Sequence, residues 1–412
     1  MKKEIFIVII LLVSCNSKPS QGIKDLRVLH VAEALKRIEK INLSEIASSI
    51  EYIPLETSQI SVFRFPQKRN IIYENNILYI PLQDGSIKKF DSNGRYLGTF
   101  NRIGRGHGEY SSLFDFDLDL TNGNMCIEGG QEINEYDKKE NFVRKIVRPL
   151  DEDFIRHTIF HFKKLGNQYI STTLINKNSL FSAFVRDSNS HVVLKISYPQ
   201  EEVKHVKKIK PLRRINDFIN PYIFKYKDCI RLINGNNKYV LSIKNDLSID
   251  TAYIIDYGKY GISNRSPNDK RKIPPFLGRR FESFESDNYL FMVFFTGTLP
   301  KKIPTGLNKS GVEFMYPYNH SVFNKKTGKV KLLEQPEINL FGFVEDFENG
   351  PPIWPLYVSS DNKMISILSA CDLIRYVKEH KVSEKLSAII NNLNESDNYI
   401  LIKANLKKTI TQ

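Results

Sequence analysis

The sequence predicts an all-β protein, a six-bladed β-propeller with four-stranded blades that is closed by an N-terminal strand. The main observation is a tight turn followed by a short apolar strand, which recurs at intervals of 48, 43, 61, 60 and 74 residues. Repeats of this length with several strands each are typical of propellers. The six turn-and-strand units begin at Asn76, Asn124, Asn167, Asp228, Asn288 and Asn362.

The stretch from Phe90 to Tyr136 shows one unit most clearly. A glycine-rich loop at 102–110 leads into an alternating strand at 115–120, an Asn-Gly-Asn turn and the apolar residues 125–127. Period-two alternation bounded by Asn, Gly and Asp indicates antiparallel strands joined by tight turns. Third and fourth strands follow the first five of the six units, which predicts four strands per blade.

The sixth unit lacks a fourth strand, because the chain ends soon after Tyr399 to Ala404. The strand Ile50 to Leu55 has no partner of its own and can complete this blade. Closing the ring in this way removes the exposed strand edges of an open array. We therefore predict a single propeller over residues 23–412. Helical spacing at about 371–393 predicts a small insertion near the C-terminus, which either caps the propeller or binds a partner.

The N-terminus is predicted to be a processing segment. Two lysines precede an apolar run from Ile5 to Val13, which is too short to span a membrane. The run ends in Leu-Val-Ser-Cys15, which looks like a bacterial lipobox. We predict a lipoprotein signal peptide at 1–14, lipidation of Cys15 and a polar tether at 15–22. The alternative is an ordinary signal peptide with an incidental cysteine. The predicted location is the cell envelope, facing the periplasm or on the outer-membrane surface.

The charge of the mature chain favours anionic partners. Without residues 1–14 it has 58 basic and 45 acidic residues, a surplus of +13. Lipid headgroups, acidic glycans and nucleic acid carry the matching charge, and export excludes nucleic acid as the expected partner. The other cysteines lack CxxC spacing, so neither zinc nor a disulfide framework is expected. They are predicted to be buried thiols: Cys126, Cys229 and Cys371.

Long segments of the chain are predicted to lie on one face of the ring. In a four-stranded blade, the turn between the first and second strands and the turn between the third and fourth strands lie on the same face of the ring. These turns are short in this sequence, so we call it the short-turn face. The second-to-third loops and the inter-blade connections share the other, and binding sites commonly lie on such long loops. We call it the long-loop face, and it comprises residues 104–113, 198–220, 258–278, 297–311, 335–352 and 371–397.

The predicted ligand contacts lie in or beside these connections. They are Arg102, Arg105, His107, Tyr110, Arg279, Arg280 and Trp354. Glycines at 102–110 let backbone N–H groups approach an anion, and arginines add fork-shaped donors. The alternative is a structural turn in which Glu109 pairs with an arginine and Tyr110 packs. Trp354 either stacks on a sugar or packs in the core. Basic runs at 204–214 and 270–280 are further candidates, or solvated surface.

Catalysis has little support in the sequence. The histidines are scattered, and no nucleophile elbow, HExxH or serine-based motif is present. His107 and Glu109 are the acid–base candidates if the protein is a hydrolase or lyase acting on a glycan. The acids at 115, 117 and 119 lie too far apart along one strand to enclose a cation, so we expect them to be solvated or salt-bridged. No metal or cofactor is predicted. A binding or scaffold protein is favoured, with an anionic glycan, another carbohydrate or an envelope protein as partner.

Two resemblances agree with this interpretation. The unit Gly104 to Asp137 resembles a degenerate NHL repeat, although Glu128-Gly129 replaces the usual Ala-Asp. Nearly all of the mature chain resembles the six-bladed beta-propeller lipoproteins of gut-type Gram-negative bacteria, although His107 stands where that family usually has proline. This resemblance implies the fold and export, and no catalytic residues. It is carried by Ile53 to Thr57, Phe90 to Gly94, Arg102 to Tyr110 and Gly350 to Pro355.

Overall fold

Short apolar strands and tight turns arrange the chain as six antiparallel blades around a central channel. The structure is a computed structural model. It describes residues 28–408 except 131, 149–158, 174–180, 199–220, 235–237, 262–277, 297–305, 308–312, 315–317 and 338–339. The predicted six-bladed propeller is confirmed.

Blades 1 to 4 each consist of four strands that follow one another in sequence. From the channel outward, blade 1 contains Ile72–Glu74, Ile77–Pro81, Ile87–Asp91 and Tyr96–Phe100, and blade 2 contains Asp115–Leu118, Met125–Glu128, Glu132–Tyr136 and Phe142–Val147. Blade 3 contains Ile159–Leu165, Gln168–Thr173, Phe181–Arg186 and Val192–Ser197, and blade 4 contains Tyr222–Tyr226, Cys229–Ile233, Tyr239–Lys244 and Ile249–Asp256.

Blades 5 and 6 take their strands from more distant parts of the chain. Blade 5 contains Gly278–Glu285, Tyr289–Phe295, Tyr318–Asn324 and Lys329–Leu333, and a small hairpin of Gly306–Leu307 and Glu313–Phe314 precedes its third strand. Blade 6 contains Tyr357–Val358, Lys363–Ser369, Tyr399–Leu406 and, as its outermost strand, Ala47–Pro54.

The N-terminal strand closes the ring as predicted. Ala47–Pro54 runs antiparallel to Tyr399–Leu406, with Pro54 opposite Ile400 and Ile50 opposite Ala404. This pairing completes blade 6 with a strand from the other end of the propeller sequence. Without it, Tyr399–Leu406 would be left as an edge strand with one unpaired side.

Two further strands near the N-terminus were not predicted. Val28–His30 pairs in parallel with the outer strand of blade 4, and Ile38–Glu39 pairs in parallel with the outer strand of blade 5. Between them lies the short helix Val31–Ala34. The structure also contains 3-10 helices at Leu43–Glu45, Lys68–Asn70 and Gly258–Tyr260.

The predicted C-terminal insertion consists of two helices, Ala370–Glu379 and Glu384–Ile390. Each is preceded by a serine whose hydroxyl oxygen accepts a hydrogen bond from the backbone N–H of the third helical residue, which is a favourable N-cap. Leu373 and Leu386 are fully buried against blades 5 and 6. No helix in the described part of the chain is both long and apolar enough to span a bilayer.

Hydrophobic clusters between neighbouring blades form the core. Among the described residues, the richest of these inter-blade clusters lies between blades 5 and 6, and the leanest, between blades 2 and 3, contains five buried residues, among them Cys126 and Phe162. The expectation of buried thiols is correct for Cys126, whereas Cys229 and Cys371 are only half-buried; all three are free. Charged groups supplement the sparse apolar contacts between blades 2 and 3.

Candidate functional site

The first strands of all six blades surround the central channel. Their residues line a small cavity of about 70 Å³ in the channel. A larger cavity of about 370 Å³ opens at its short-turn end, lined by the ends of the first strands and the turns that follow them. Charged side chains are frequent in both linings. Their contacts decide whether the channel can act on a ligand.

Two aspartates of blade 2 link its first strand to that of blade 3. Asp115 Oδ2 accepts a hydrogen bond from the Phe162 N–H at 2.9 Å, and Asp117 Oδ2 accepts one from the Lys164 N–H at 2.7 Å. Their spacing of two residues matches the period of the facing strand. Asp117 Oδ2 also lies 2.6 Å from the Lys225 Nζ atom of blade 4. These side chains therefore join inner strands that no backbone ladder connects.

The remaining charges at this junction are paired as well. Burial raises the pKa of Asp115, but Lys163, His161 and the backbone donor outweigh it and hold the pKa at about 2. Lys164 Nζ lies 3.2 Å from Asp119 Oδ2 and 2.7 Å from Glu135 Oε1. The aspartates at 115, 117 and 119 are at most 4% exposed. The expectation of salt-bridged acids is confirmed.

Glu285 forms a second ionic network between blades 4 and 5. Its carboxylate accepts two hydrogen bonds from Arg231, at 2.8 and 3.2 Å, and one from Lys325 at 2.7 Å. The Tyr253 hydroxyl donates a further hydrogen bond at 2.6 Å. Burial opposes ionisation of Glu285, but the arginine and lysine outweigh it and lower its pKa. The contacts of Glu285 therefore hold blades 4 and 5 together.

Glu74, at the junction of blades 6 and 1, has neutral partners instead. Its carboxylate accepts hydrogen bonds from the Tyr357 hydroxyl at 2.9 Å and from the N–H and hydroxyl of Ser360 at 2.8 and 2.5 Å. No ion pair joins Glu74 to a cation within the described ranges. Burial therefore raises its pKa, against the effect of these hydrogen bonds.

The loop Arg102–Tyr110, which we call the arginine loop, is a tightly bonded turn on the long-loop face. Gly104 N–H donates to the Tyr110 carbonyl and Tyr110 N–H to the Arg102 carbonyl, both at 3.0 Å. Gly106 N–H donates to Glu109 Oε2 at 2.7 Å. The Glu109 carboxylate thus fills the inside of the turn, and the side chains of Arg102, Arg105 and His107 are exposed.

Tyr110 and His107 have different surroundings. Tyr110 is fully buried, and its hydroxyl donates to the Gly85 carbonyl at 2.8 Å, so it supports the loop from below. The His107 ring lies edge-on to Phe142, with ring centroids 4.9 Å apart. His107 and Glu109, the acid–base candidates, therefore contact different partners.

The other predicted contacts lie elsewhere. Arg279 and Arg280 are in the first strand of blade 5, where their backbones face Phe294 and Val293. Trp354 is half-buried and packs against His320, with ring centroids 4.4 Å apart. We find no hydrogen bond, ion pair or ring contact between Trp354 and the arginine loop. Cys15 and the basic residues at 204–214 and 270–272 lie outside the described residues.

The described residues contain no group of three or more His, Cys, Asp or Glu side chains arranged to hold a metal ion. Sequence reasoning missed the networks around Glu285 and Glu74. One signal was present, since Glu74, Asp119 and Glu285 each stand near the end of a first strand, just before a turn. Three of the six first strands, those of blades 1, 2 and 5, thus end at or next to an acid.

A closed ring of six antiparallel blades with ionic links between inner strands defines the protein as a six-bladed β-propeller. Within that class, the chain belongs to the family described as a domain of unknown function, DUF4934, which matches residues 26–405. No curated protein sequence matches the chain.

Two solved structures are similar to this chain at low sequence identity. A protein of Bacteroides fragilis NCTC 9343, described as a candidate exported protein, is 15% identical with a TM-score of 0.60, covering 93% of this chain and 99% of the other. A member of the DUF4221 family from Bacteroides vulgatus ATCC 8482 is 10% identical with a TM-score of 0.47, covering 90% of this chain and 99% of its own. At 15% identity, the similarity to the B. fragilis protein is evidence of the fold alone.

Proposed function

We propose that this protein is an exported, lipid-anchored propeller that acts as a binding or scaffold protein and binds an acidic saccharide on its long-loop face. One observation carries the proposal. Arg102 and Arg105 are exposed and form no ion pair with any described residue, although they stand on a turn that is fixed from within by Glu109. Planar guanidinium groups bind carboxylate and sulfate groups through two parallel hydrogen bonds.

A ligand with several anionic groups suits this arrangement best. A single exposed ion pair contributes only about 0–1 kcal/mol, because water and salt screen it. A saccharide chain with repeated acidic groups can engage both arginines at once, and the surplus of +13 would draw it toward the protein. An acidic envelope protein would be recognised by the same groups. No contact of His107 or Glu109 favours a hydrolase or lyase.

Export and anchoring are proposed from the N-terminal segment. The apolar run that ends at Cys15 supports a lipoprotein signal, and the exported character given for the similar protein of B. fragilis is compatible with it. Lipidation of Cys15 would hold the propeller at a membrane of the cell envelope.

The binding proposal is tested with the double variant Arg102→Ala/Arg105→Ala on immobilised polygalacturonate, a uronic-acid polymer. We expect affinity to fall by about tenfold and its salt dependence to weaken, because two charge-assisted contacts are lost. The matched control is Lys227→Ala/Lys244→Ala. It removes the same charge from the short-turn face, where these lysines pair with Asp287 and Asp250. If both variants lose the same affinity for polygalacturonate, binding depends on the net charge of the protein and not on these two arginines.

Anchoring is tested separately by cell fractionation. The protein should fractionate with membranes, and Cys15→Ala should release it in soluble form or leave it unprocessed. Unchanged membrane association and processing of this variant would contradict lipidation.

A further inference from the structure

We propose that an open groove beside the arginine loop is the saccharide site, with Phe65 as the surface on which a sugar ring stacks. This inference rests on the proposed function and deepens it. The groove has a volume of about 660 Å³. It lies between the connection from blade 6 to blade 1 and the loop after the second strand of blade 1. Asn101 lines it and directly precedes Arg102, so the groove adjoins the arginine loop.

Phe65 combines two unfavourable features in one residue. Its side chain is 68% exposed, and its backbone has a φ of 54°, in the left-handed region. Bulky residues rarely adopt that region, and a following proline, here Pro66, favours extended backbone at the preceding position. Such strain persists where the surroundings enforce it and is concentrated at functional sites.

The surroundings of Phe65 do enforce its position. Phe63, two residues earlier, is buried and stacks on Tyr399 with ring centroids 5.3 Å apart. Its N–H donates to Asn398 Oδ1 at 3.0 Å. Lys88 Nζ donates to the Ile60 carbonyl at 2.7 Å. These contacts hold the segment before Phe65, and the bridge between Pro66 and Leu82 holds it after, so the exposure of Phe65 does not come from a loosely packed loop.

The polar lining fits the other faces of a sugar. Gln83, Asp84 and Asn101 are exposed in the groove, and their amide and carboxylate groups can exchange hydrogen bonds with sugar hydroxyls. Arg64 is exposed and forms no ion pair with a described residue, so it can bind a uronic carboxylate. The Phe65 ring offers an apolar face for the C–H side of a pyranose. Apolar surface with a few placed polar groups is typical of small-molecule sites.

Contact with a lipid surface is the competing explanation. Ile60 and Val62 are 70% and 42% exposed next to Phe65, and a lipid-anchored protein lies close to a membrane. However, acyl chains entering the groove would strip water from Asp84 and the amides without supplying hydrogen bonds, which is costly. A saccharide supplies those hydrogen bonds, so the lining favours it.

The test measures the affinity of Phe65→Asn for galacturonate oligosaccharides, with dextran as a neutral saccharide probe. Asparagine tolerates the left-handed backbone and lacks the ring. We expect affinity for the galacturonate chain to fall by about tenfold through loss of stacking, while the Tm stays unchanged or rises slightly. Leu97→Ala is the matched control, because Leu97 is 50% exposed on the outer strand of the same blade. Its affinity should equal that of the unaltered protein.

Other outcomes separate this inference from the proposed function. If Phe65→Asn binds normally while Arg102→Ala/Arg105→Ala does not, the groove is wrong and the proposed function stands. If the unaltered protein binds no saccharide, both fail. A large drop in the Tm of Phe65→Asn would show that the Phe65 ring stabilises the fold and is not a binding surface. If Phe65→Asn leaves saccharide binding intact but loosens residual membrane association of the Cys15→Ala protein, the groove contacts lipid instead.

Discussion

The channel wall and the arginine loop both carry charged side chains, but they use them in opposite ways. In the wall, Glu285 is buried and binds Arg231 and Lys325. On the loop, Arg102 and Arg105 are exposed and pair with no carboxylate in the described chain. The difference shows that residue type alone does not indicate a binding site. Charges already paired inside the ring hold blades together, and charges left unpaired on a fixed turn are available to a ligand.

The energetic consequences differ accordingly. A buried ion pair is weak evidence of net stabilisation, because desolvation offsets much of the attraction. Removing one partner is costly, because the other charge stays buried without compensation. Removing an exposed, unpaired charge has almost no effect on folding. Substitutions should therefore affect stability in the wall and binding on the loop.

The largest effect is expected for Glu285→Ala, which leaves the charges of Arg231 and Lys325 without their carboxylate. The free energy of unfolding should fall by about 3–5 kcal/mol, measured by denaturant titration. Asp250→Ala is the control, because Asp250 pairs with Lys244 at the surface and should cost less than about 1 kcal/mol. Similar losses in the two variants would contradict the distinction between buried and exposed pairs.

The second effect concerns acid stability. The pKa of Asp115 is lowered from 3.8 to about 2 in the folded protein. Its contribution is therefore complete above pH 3.8 and is lost as the pH falls from there through about 2. Asp115→Asn should lower the free energy of unfolding by about 2 kcal/mol at pH 7 and flatten its pH dependence between 4 and 2. If the pH dependence of the unfolding free energy between pH 4 and 2 is unchanged, the partners of Asp115 do not lower its pKa.

Glu74 provides a contrast of opposite sign for that experiment. Because burial raises its pKa above 4.5, its contribution is greatest below that pH and is lost as the pH rises through the folded value. Glu74→Gln should remove this pH dependence. Compared with the unaltered protein, the variant should therefore be more stable at neutral pH than at acid pH. Both carboxylates are buried on inner strands of neighbouring blades, so the cationic partners of Asp115 and the neutral partners of Glu74 explain the opposite directions of their pKa shifts.

The sequence predicted the ring better than the contacts within it. Turn residues and alternating strands are local signals, so the six blades could be predicted, and the strand Ile50 to Leu55, left without a partner of its own, could be assigned to the last strand of the chain. The strands Val28–His30 and Ile38–Glu39 were missed, because they have only three and two residues and no alternation. The Glu285 network could not be predicted, since Arg231 and Lys325 are 54 and 40 residues away along the chain. For 102–110, composition allowed either an anion site or a structural turn. In the structure Tyr110 packs as the structural turn predicts, but Glu109 accepts a hydrogen bond from the Gly106 N–H instead of pairing with an arginine, and anion binding stays a prediction.

The smallest stability effect should come from Gly104→Ala, which tests whether the turn itself orients the arginines. An added Cβ would lie 1.9 Å from Glu109 Oε2, so the carboxylate would have to leave Gly106 N–H. We expect a loss of about 1 kcal/mol in unfolding free energy. Galacturonate binding should weaken as well, although both arginines remain. Gly129→Ala is the control on the same face, because its nearest neighbour would be 3.5 Å away, an ordinary contact.

A double-mutant cycle assigns the cause of that loss. If displacement of the Glu109 carboxylate explains the effect of Gly104→Ala, then Glu109→Ala alone should weaken binding to a similar degree, and combining the two should add little. If the two losses add fully, the glycine matters for another reason, such as the backbone path of the loop. If Gly104→Ala loses stability but keeps full affinity, the arginines bind without help from the turn. Their exposure, rather than their fixed orientation, would then distinguish them from the cations of the channel wall.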